Sequence, residues 1–138
     1  MEKILIVDDE EKIVHLYKRL LEGEGYEVFE AFDSHRATNL LVTQQDINLI
    51  LLDILMPRID GAMLYEVAKQ YNPQIKIIVT SAYPLEDQKQ KIVSADGYYD
   101  KSQGTEVLLS KIKDVLKTGG NYETSSSGSS VADGAVLS

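Results

Sequence analysis

The chain contains no cysteine, which removes disulfides, thiolate catalysis and cysteine-based zinc sites together. Its two histidines, His15 and His35, lie near neither each other nor the acidic clusters in sequence, so a histidine metal site or a Ser-His-Asp triad has no support. No stretch approaches the ~18 to 20 consecutive apolar residues that a membrane helix requires, because Asp53 splits the longest candidate. Positive charge is also scarce: 14 Lys and Arg stand against 22 Asp and Glu, for a net charge of −8. Such a surface cannot neutralise a row of phosphates, and no direct nucleic-acid partner is expected. Met1 is followed at once by charge rather than by an apolar signal segment, so cytoplasmic residence away from the membrane is the expectation.

What is present is 138 residues with 43% hydrophobic and 26% charged content, the make-up of one soluble domain with a real core. Two apolar runs each stop on acid: Lys3-Ile4-Leu5-Ile6-Val7 ends in Asp8-Asp9, and Asn48-Leu49-Ile50-Leu51-Leu52 ends in Asp53. Runs that are apolar on both faces read as strands buried between helix layers of a parallel sheet. A carboxylate just past such a strand sits at its carboxyl edge, where open parallel sheets bind their ligands. Three carboxylates converging there repel one another unless a positive group intervenes. An all-oxygen donor set suits a hard divalent cation, Mg²⁺ ahead of zinc or copper.

The remainder alternates helix and strand. Ile13, Leu16, Tyr17, Leu20 and Leu21 repeat at helical spacing before Gly23 and Gly25, and residues 26–31 form a second strand. Ser34 is placed as the cap of a helix that buries Ala37, Leu40 and Leu41, and Asp9 as an added cap of the first helix. After the third strand come the turn-rich residues 56–61, then a helix with Met63, Leu64, Val67 and Ala68 inward. A fourth strand spans 75–80. Between Tyr83 and Ala95 only Ile92 and Val93 are strongly apolar, predicting a short or loosely docked fourth helix. A fifth strand at 98–100 precedes Lys101, and a fifth helix carries Val107, Leu108, Ile112, Val115 and Leu116. The pattern predicts an α/β, doubly wound, five-stranded parallel sheet of the flavodoxin-like order 2-1-3-4-5 over residues 1–118. Residues 119–138, rich in Gly and Ser, read as a flexible tail or truncated linker. That stretch contributes only Glu123 and Asp133 to the negative charge, so the acidity belongs to the domain.

Asp8-Asp9 after strand one, Asp53 within Asp53-Ile54-Leu55-Met56-Pro57-Arg58-Ile59-Asp60-Gly61, Ser81-Ala82 after strand four and Lys101 after strand five together resemble the response-regulator receiver domain of two-component signalling. The resemblance implies that Asp53 is the phosphoacceptor, and that Asp8, Asp9, Asp53 and the backbone carbonyl of Leu55 hold Mg²⁺, one of the Asp8-Asp9 pair directly and the other directly or through water. It implies that Lys101 pairs with Asp53 before transfer and with the phosphoryl group after it, that Ser81 donates its hydroxyl to that group, and that Tyr98 is a switch aromatic. Thr80 competes with Ser81, since strand neighbours face opposite ways; the small Ala82 after Ser81 favours Ser81. The implied partners are a histidine kinase or histidine phosphotransfer protein upstream. Downstream lies a protein target, or a second copy, meeting the face of the fourth helix, fifth strand and fifth helix. The only chemistry implied is the chain's own aspartyl phosphorylation and dephosphorylation. The runner-up is a receiver-like docking module independent of phosphorylation. An Asp-nucleophile phosphohydrolase ranks last, because Leu55 stands where its second acid would.

The chain departs from that pattern after Lys101, where serine replaces the usual proline; a cis Lys101–Ser102 bond would cost about 2.5 to 4 kcal/mol and is disfavoured. The segment from Ser81 to Lys101 is also short, with Ser94 where a glycine usually ends the fourth helix. Leu55 and Tyr83, each two residues past a site residue, offer no amide or carboxylate well suited to orienting an attacking water, so the acyl phosphate should hydrolyse slowly relative to receivers with polar groups there. A Leu55→Asn, Tyr83→Glu double variant should therefore lose its phosphoryl group faster than wild type when decay is followed in Mg²⁺; a wild-type lifetime of seconds would overturn the idea.

Overall fold

A computed structural model describes residues 1–54, 61–82, 95–119, 131–132 and 134–135. Five parallel strands, β1 (Lys3–Val7), β2 (Glu27–Ala31), β3 (Leu49–Asp53), β4 (Lys76–Ser81) and β5 (Gly97–Asp100), form one sheet in the order β2-β1-β3-β4-β5. Four helices are described: α1 (Glu11–Gly23), α2 (Ser34–Thr43), α3 (Gly61–Tyr71) and α4 (Thr105–Gly119). The predicted fold class and strand order are those observed. Beyond α4, a two-stranded antiparallel pairing joins β6 (Val131–Ala132) to β7 (Gly134–Ala135). The helix predicted between Tyr83 and Ala95, with Ile92 and Val93, lies outside the described residues except at its last position, as do Ser94 and the loop 55–60. Among the described residues no helix is long and apolar enough to cross a membrane.

The alternation of each strand divides the core into two layers. Ile4 and Ile6 of β1, Leu49 and Leu51 of β3, and Ile78 of β4 pack with Val14, Tyr17 and Leu21 of α1 and with Leu108 and Ile112 of α4. Leu5, Val7, Ile50, Leu52, Ile77 and Val79 pack on the other face with Ala37, Leu40 and Leu41 of α2 and Leu64 and Ala68 of α3. Both faces of the central strands are thus covered, which is why these runs are apolar without alternation.

The helix ends correct two expectations. Asp33, not Ser34, caps α2: its extended backbone lets Oδ1 accept the Arg36 N–H at 2.8 Å, and a carboxylate there also meets the positive end of the helix dipole. Asp9 does not cap α1, whose N-cap position is Glu10 with no side-chain cap bond. α1 closes as predicted at its glycines, with Gly25 at φ +96° and the Tyr26 N–H reaching back to the Leu21 carbonyl at 3.1 Å, a Schellman closure. The predicted inward stripe of α2, Ala37, Leu40 and Leu41, is buried as expected, whereas in the other helices Leu16, Met63 and Val107 are exposed and Val14, not assigned inward, is fully buried.

Replacing Asp33 by Ala should lower stability by ~1 kcal/mol, whereas Ser34→Ala should stay within about 0.5 kcal/mol. Urea denaturation of both variants checks the assignment, and a larger loss at Ser34 would reverse it.

Candidate functional site

Strand register brings the acids and the lysine to one edge. Val7 is level with Leu52, Asp53 with Thr80, and Ser81 with Asp100. The ladder continues one step past each strand: the Asp8 N–H bonds to the Ala31 carbonyl at 3.1 Å, the Ile54 N–H to Thr80 at 3.3 Å and the Lys101 N–H to Ser81 at 2.8 Å. Asp8, Asp53 and Lys101 are therefore held by sheet backbone rather than by free loops.

Carboxylate oxygens of Asp8, Asp9 and Asp53 all lie within 4.8 Å of one another. Asp8 and Asp53 are buried, 2% and 4% exposed, while Asp9 is open to solvent. Asp8 Oδ1 accepts the Glu10 N–H at 2.9 Å, so the residue that shapes the entry to α1 is Asp8 and not Asp9. Lys101 reaches back over this cluster: its Nζ is 2.7 Å from Asp8 Oδ2, 3.1 Å from Asp53 Oδ2 and 3.3 Å from Glu10 Oε1, with its side chain 12% exposed. Glu10 was not anticipated as a member; the acidic run from Asp8 to Glu11 was its only signal.

Burial pushes the Asp8 carboxyl above the usual carboxylate range, and the Asp53 charge adds to this, against the opposing pull of Lys101 and the Glu10 N–H. Burial also disfavours the Lys101 ammonium, but contact with Asp8 and the charge of Asp53 outweigh it and hold the lysine well above its ordinary value. Lys101 is thus a fixed positive charge at any physiological pH. The buried Asp8 Oδ2 receives no aligned hydrogen bond among the described residues. A buried oxygen left so, with two further carboxylates in reach and only oxygen donors, fits a hard divalent cation.

Thr80 and Ser81 are both buried. Register and alternation place Ser81 on the sheet face of Val79 and Tyr98, and Thr80 on the face of Ile78 and Tyr99. Tyr98 is half-buried against the α2–α3 layer. The Lys101–Ser102 bond is trans. Leu55 and Tyr83 lie outside the described residues, as does Asp60, while Gly61 opens α3. His15 and His35 are exposed on α1 and α2.

A family model for the response regulator receiver domain matches residues 4–113. The transcriptional regulatory protein CpxR of Escherichia coli K12 is 33% identical over 118 residues, 85% of this chain and 50% of that protein; the chain thus spans about half the length of the curated relatives it matches. A CheY-like response regulator receiver domain protein from Methanospirillum hungatei JF-1 superposes with a TM-score of 0.79 at 33% identity, covering 86% of this chain and 96% of that one. Response regulator protein TrrA from Thermotoga maritima, solved in complex with Mg²⁺–BeF, gives a TM-score of 0.73 at 33% identity over 83% of this chain and 99% of that one.

Lys101→Met should leave Asp8 and Asp53 buried without their counter-charge and destabilise the domain by about 3–5 kcal/mol at pH 8. The loss should shrink as pH falls, since Asp8, already raised, then takes up a proton and ceases to need a partner. Adding Mg²⁺ at pH 8 should recover part of it. Urea titrations at both pH values, with and without Mg²⁺, read all three effects.

Proposed function

This chain belongs to the response regulator receiver domain family, and on that premise we propose that Asp53 accepts a phosphoryl group in a Mg²⁺-dependent reaction and so switches a protein-binding face. The observation that carries the proposal is the 3.1 Å pairing of Lys101 Nζ with Asp53 Oδ2 inside the acidic cluster. The acids Asp8, Asp9 and Asp53 would hold the cation, with the backbone carbonyl of Leu55 as a further ligand. The Mg²⁺ bound by the TrrA relative supports the same choice of metal. Bound there, the cation supplies charge neutralisation for the phosphoryl oxygens and for the carboxylates.

The chain's own residues do the rest. A carboxylate oxygen of Asp53 attacks phosphorus, and the bond from phosphorus to the donor's leaving atom breaks. Because phosphoryl transfer demands positioning and charge stabilisation more than covalent assistance, a buried ammonium placed before the reaction costs no reorganisation during it. Lys101 then exchanges part of its pairing with Asp53 for the new phosphoryl oxygens. Ser81 donates its hydroxyl to the same group, and Tyr98, on the same sheet face, follows it inward. The added charge, with these differential contacts, biases one of two arrangements of the partner-binding face, to which β5, α4 and the fourth helix expected from the sequence would contribute.

The donor is a histidine kinase or a histidine phosphotransfer protein, and the output partner is a protein target or a second copy of the chain. The domain acts in the cytoplasm. Its chemistry is confined to its own aspartate, with no external substrate turned over. The CpxR relative is named as a transcriptional regulator, so transcription is one output such a domain could control. The acidic domain itself, repelled by a phosphate backbone, would exert that control through protein contacts.

Mass spectrometry after incubation with acetyl phosphate and Mg²⁺ tests the proposal. The expected result is the gain of a single phosphoryl mass that chelation prevents and Asp53→Ala abolishes. No gain in the wild type would favour a phosphorylation-independent docking module, and gain that survives Asp53→Ala would place the acceptor elsewhere.

A further inference from the structure

The loop that carries Lys101 is held by bonds that the charge cluster does not explain. Asp100 Oδ1 accepts both the Ser102 N–H at 2.8 Å and the Ser102 hydroxyl at 2.7 Å. The Gln103 N–H donates to the Asp100 carbonyl at 2.9 Å, and Gln103 Oε1 accepts the Asp100 N–H at 3.3 Å. From inside the core, the Tyr99 hydroxyl lies 2.7 Å from the Gln103 carbonyl and 3.1 Å from that of Gly104. Burial raises the Tyr99 phenol, so it remains a protonated donor.

Tyr99 is almost fully buried in the α1–α4 layer. A phenylalanine there would supply the same apolar ring without the cost of burying a hydroxyl. The hydroxyl therefore needs a purpose, and the geometry offers one. Lys101 is pinned on its N-terminal side by the Ser81 carbonyl, and Tyr99 pins the chain two and three residues beyond it. A lysine side chain has four rotatable bonds and no rigid fork. Holding its ammonium near both Asp8 and Asp53 depends on a fixed backbone.

We propose that the buried Tyr99 hydroxyl positions Lys101 over Asp53 by clasping the backbone just beyond it, with Asp100 as the outer half of the same clasp. Tyr99 is a positioning residue, since it does not touch the reacting atoms; the proposal rests on the phosphoacceptor reading above.

The test is a double-mutant cycle on the full chain. Tyr99→Phe should slow the maximal rate of phosphorylation by acetyl phosphate at saturating Mg²⁺ by about fivefold, with little change in the acetyl phosphate concentration at half-maximal rate, because orientation and not donor binding is lost. Asp100→Ala should slow it less. In a Lys101→Ala background, Tyr99→Phe should have no further effect. A Tyr99→Phe variant as fast as wild type, or one slowed equally in both backgrounds, overturns the proposal. A second readout needs no phosphorylation: backbone amide hydrogen exchange at Ser102 and Gln103 should be faster in Tyr99→Phe than in wild type, while exchange at Leu51 in β3 stays unchanged. Unchanged exchange at Ser102 and Gln103 also overturns the proposal. If wild type takes up no phosphoryl group yet the exchange still moves, the phosphoacceptor reading fails and the clasp on the backbone beyond Lys101 stands.

Discussion

One buried ammonium facing several carboxylates is the interaction on which the site depends. Asp8 and Asp53 are nearly sealed from solvent, Asp9 and Glu10 add charge at the rim, and Lys101 is the group that opposes them. An arrangement with excess negative charge is stable only while something positive occupies it. It is thereby suited to a hard divalent cation. Burial, and to a lesser degree the facing charge of Asp53, raises the Asp8 carboxyl, so the seclusion that would make the cluster favour a cation also strains it.

The sheet makes that imbalance tolerable. Parallel register sets the carboxyl ends of β1, β3, β4 and β5 side by side, and backbone bonds extend past each strand to Asp8, Ile54 and Lys101. Repulsion among the acids cannot be relieved by moving one of them without breaking a ladder whose side chains fill two apolar layers. Core burial thus holds together charges that would separate in water. The clasp formed by Tyr99, Asp100 and Gln103 extends the same logic to the segment after β5, where a trans Lys101–Ser102 bond leaves the backbone to be restrained by hydrogen bonds.

Much of this was legible in the chain. Unbroken apolar runs ending on Asp8 and Asp53 announced doubly covered strands and an acidic edge, and the resemblance to receiver domains, rather than any local pattern, singled out Lys101 as their counter-charge. The errors cluster where a helix has more apolar residues than its buried stripe can use. In α1, Ile13, Val14, Leu16, Tyr17, Leu20 and Leu21 fit several adjacent faces, and only docking on the sheet selects Val14, Tyr17 and Leu21. Met63 and Val107 were assigned inward for the same reason and lie exposed. Asp33 and Ser34 are both good capping residues, and the choice between them depends on where the chain leaves β2.

Sequence by itself determined the strands, their alternation with helices and the identity of the charged groups, because burial on both faces and carboxylates at strand ends leave a local signature. Tertiary structure alone decided which atoms meet. The contact of Lys101 with Asp8 and Asp53, the entry of Glu10, and the bond from Tyr99 to the Gln103 carbonyl depend on register between strands and on helix docking. Local patterns set which residues can be charged, buried or polar. Distances between residues remote in sequence are set only when the whole core closes around them.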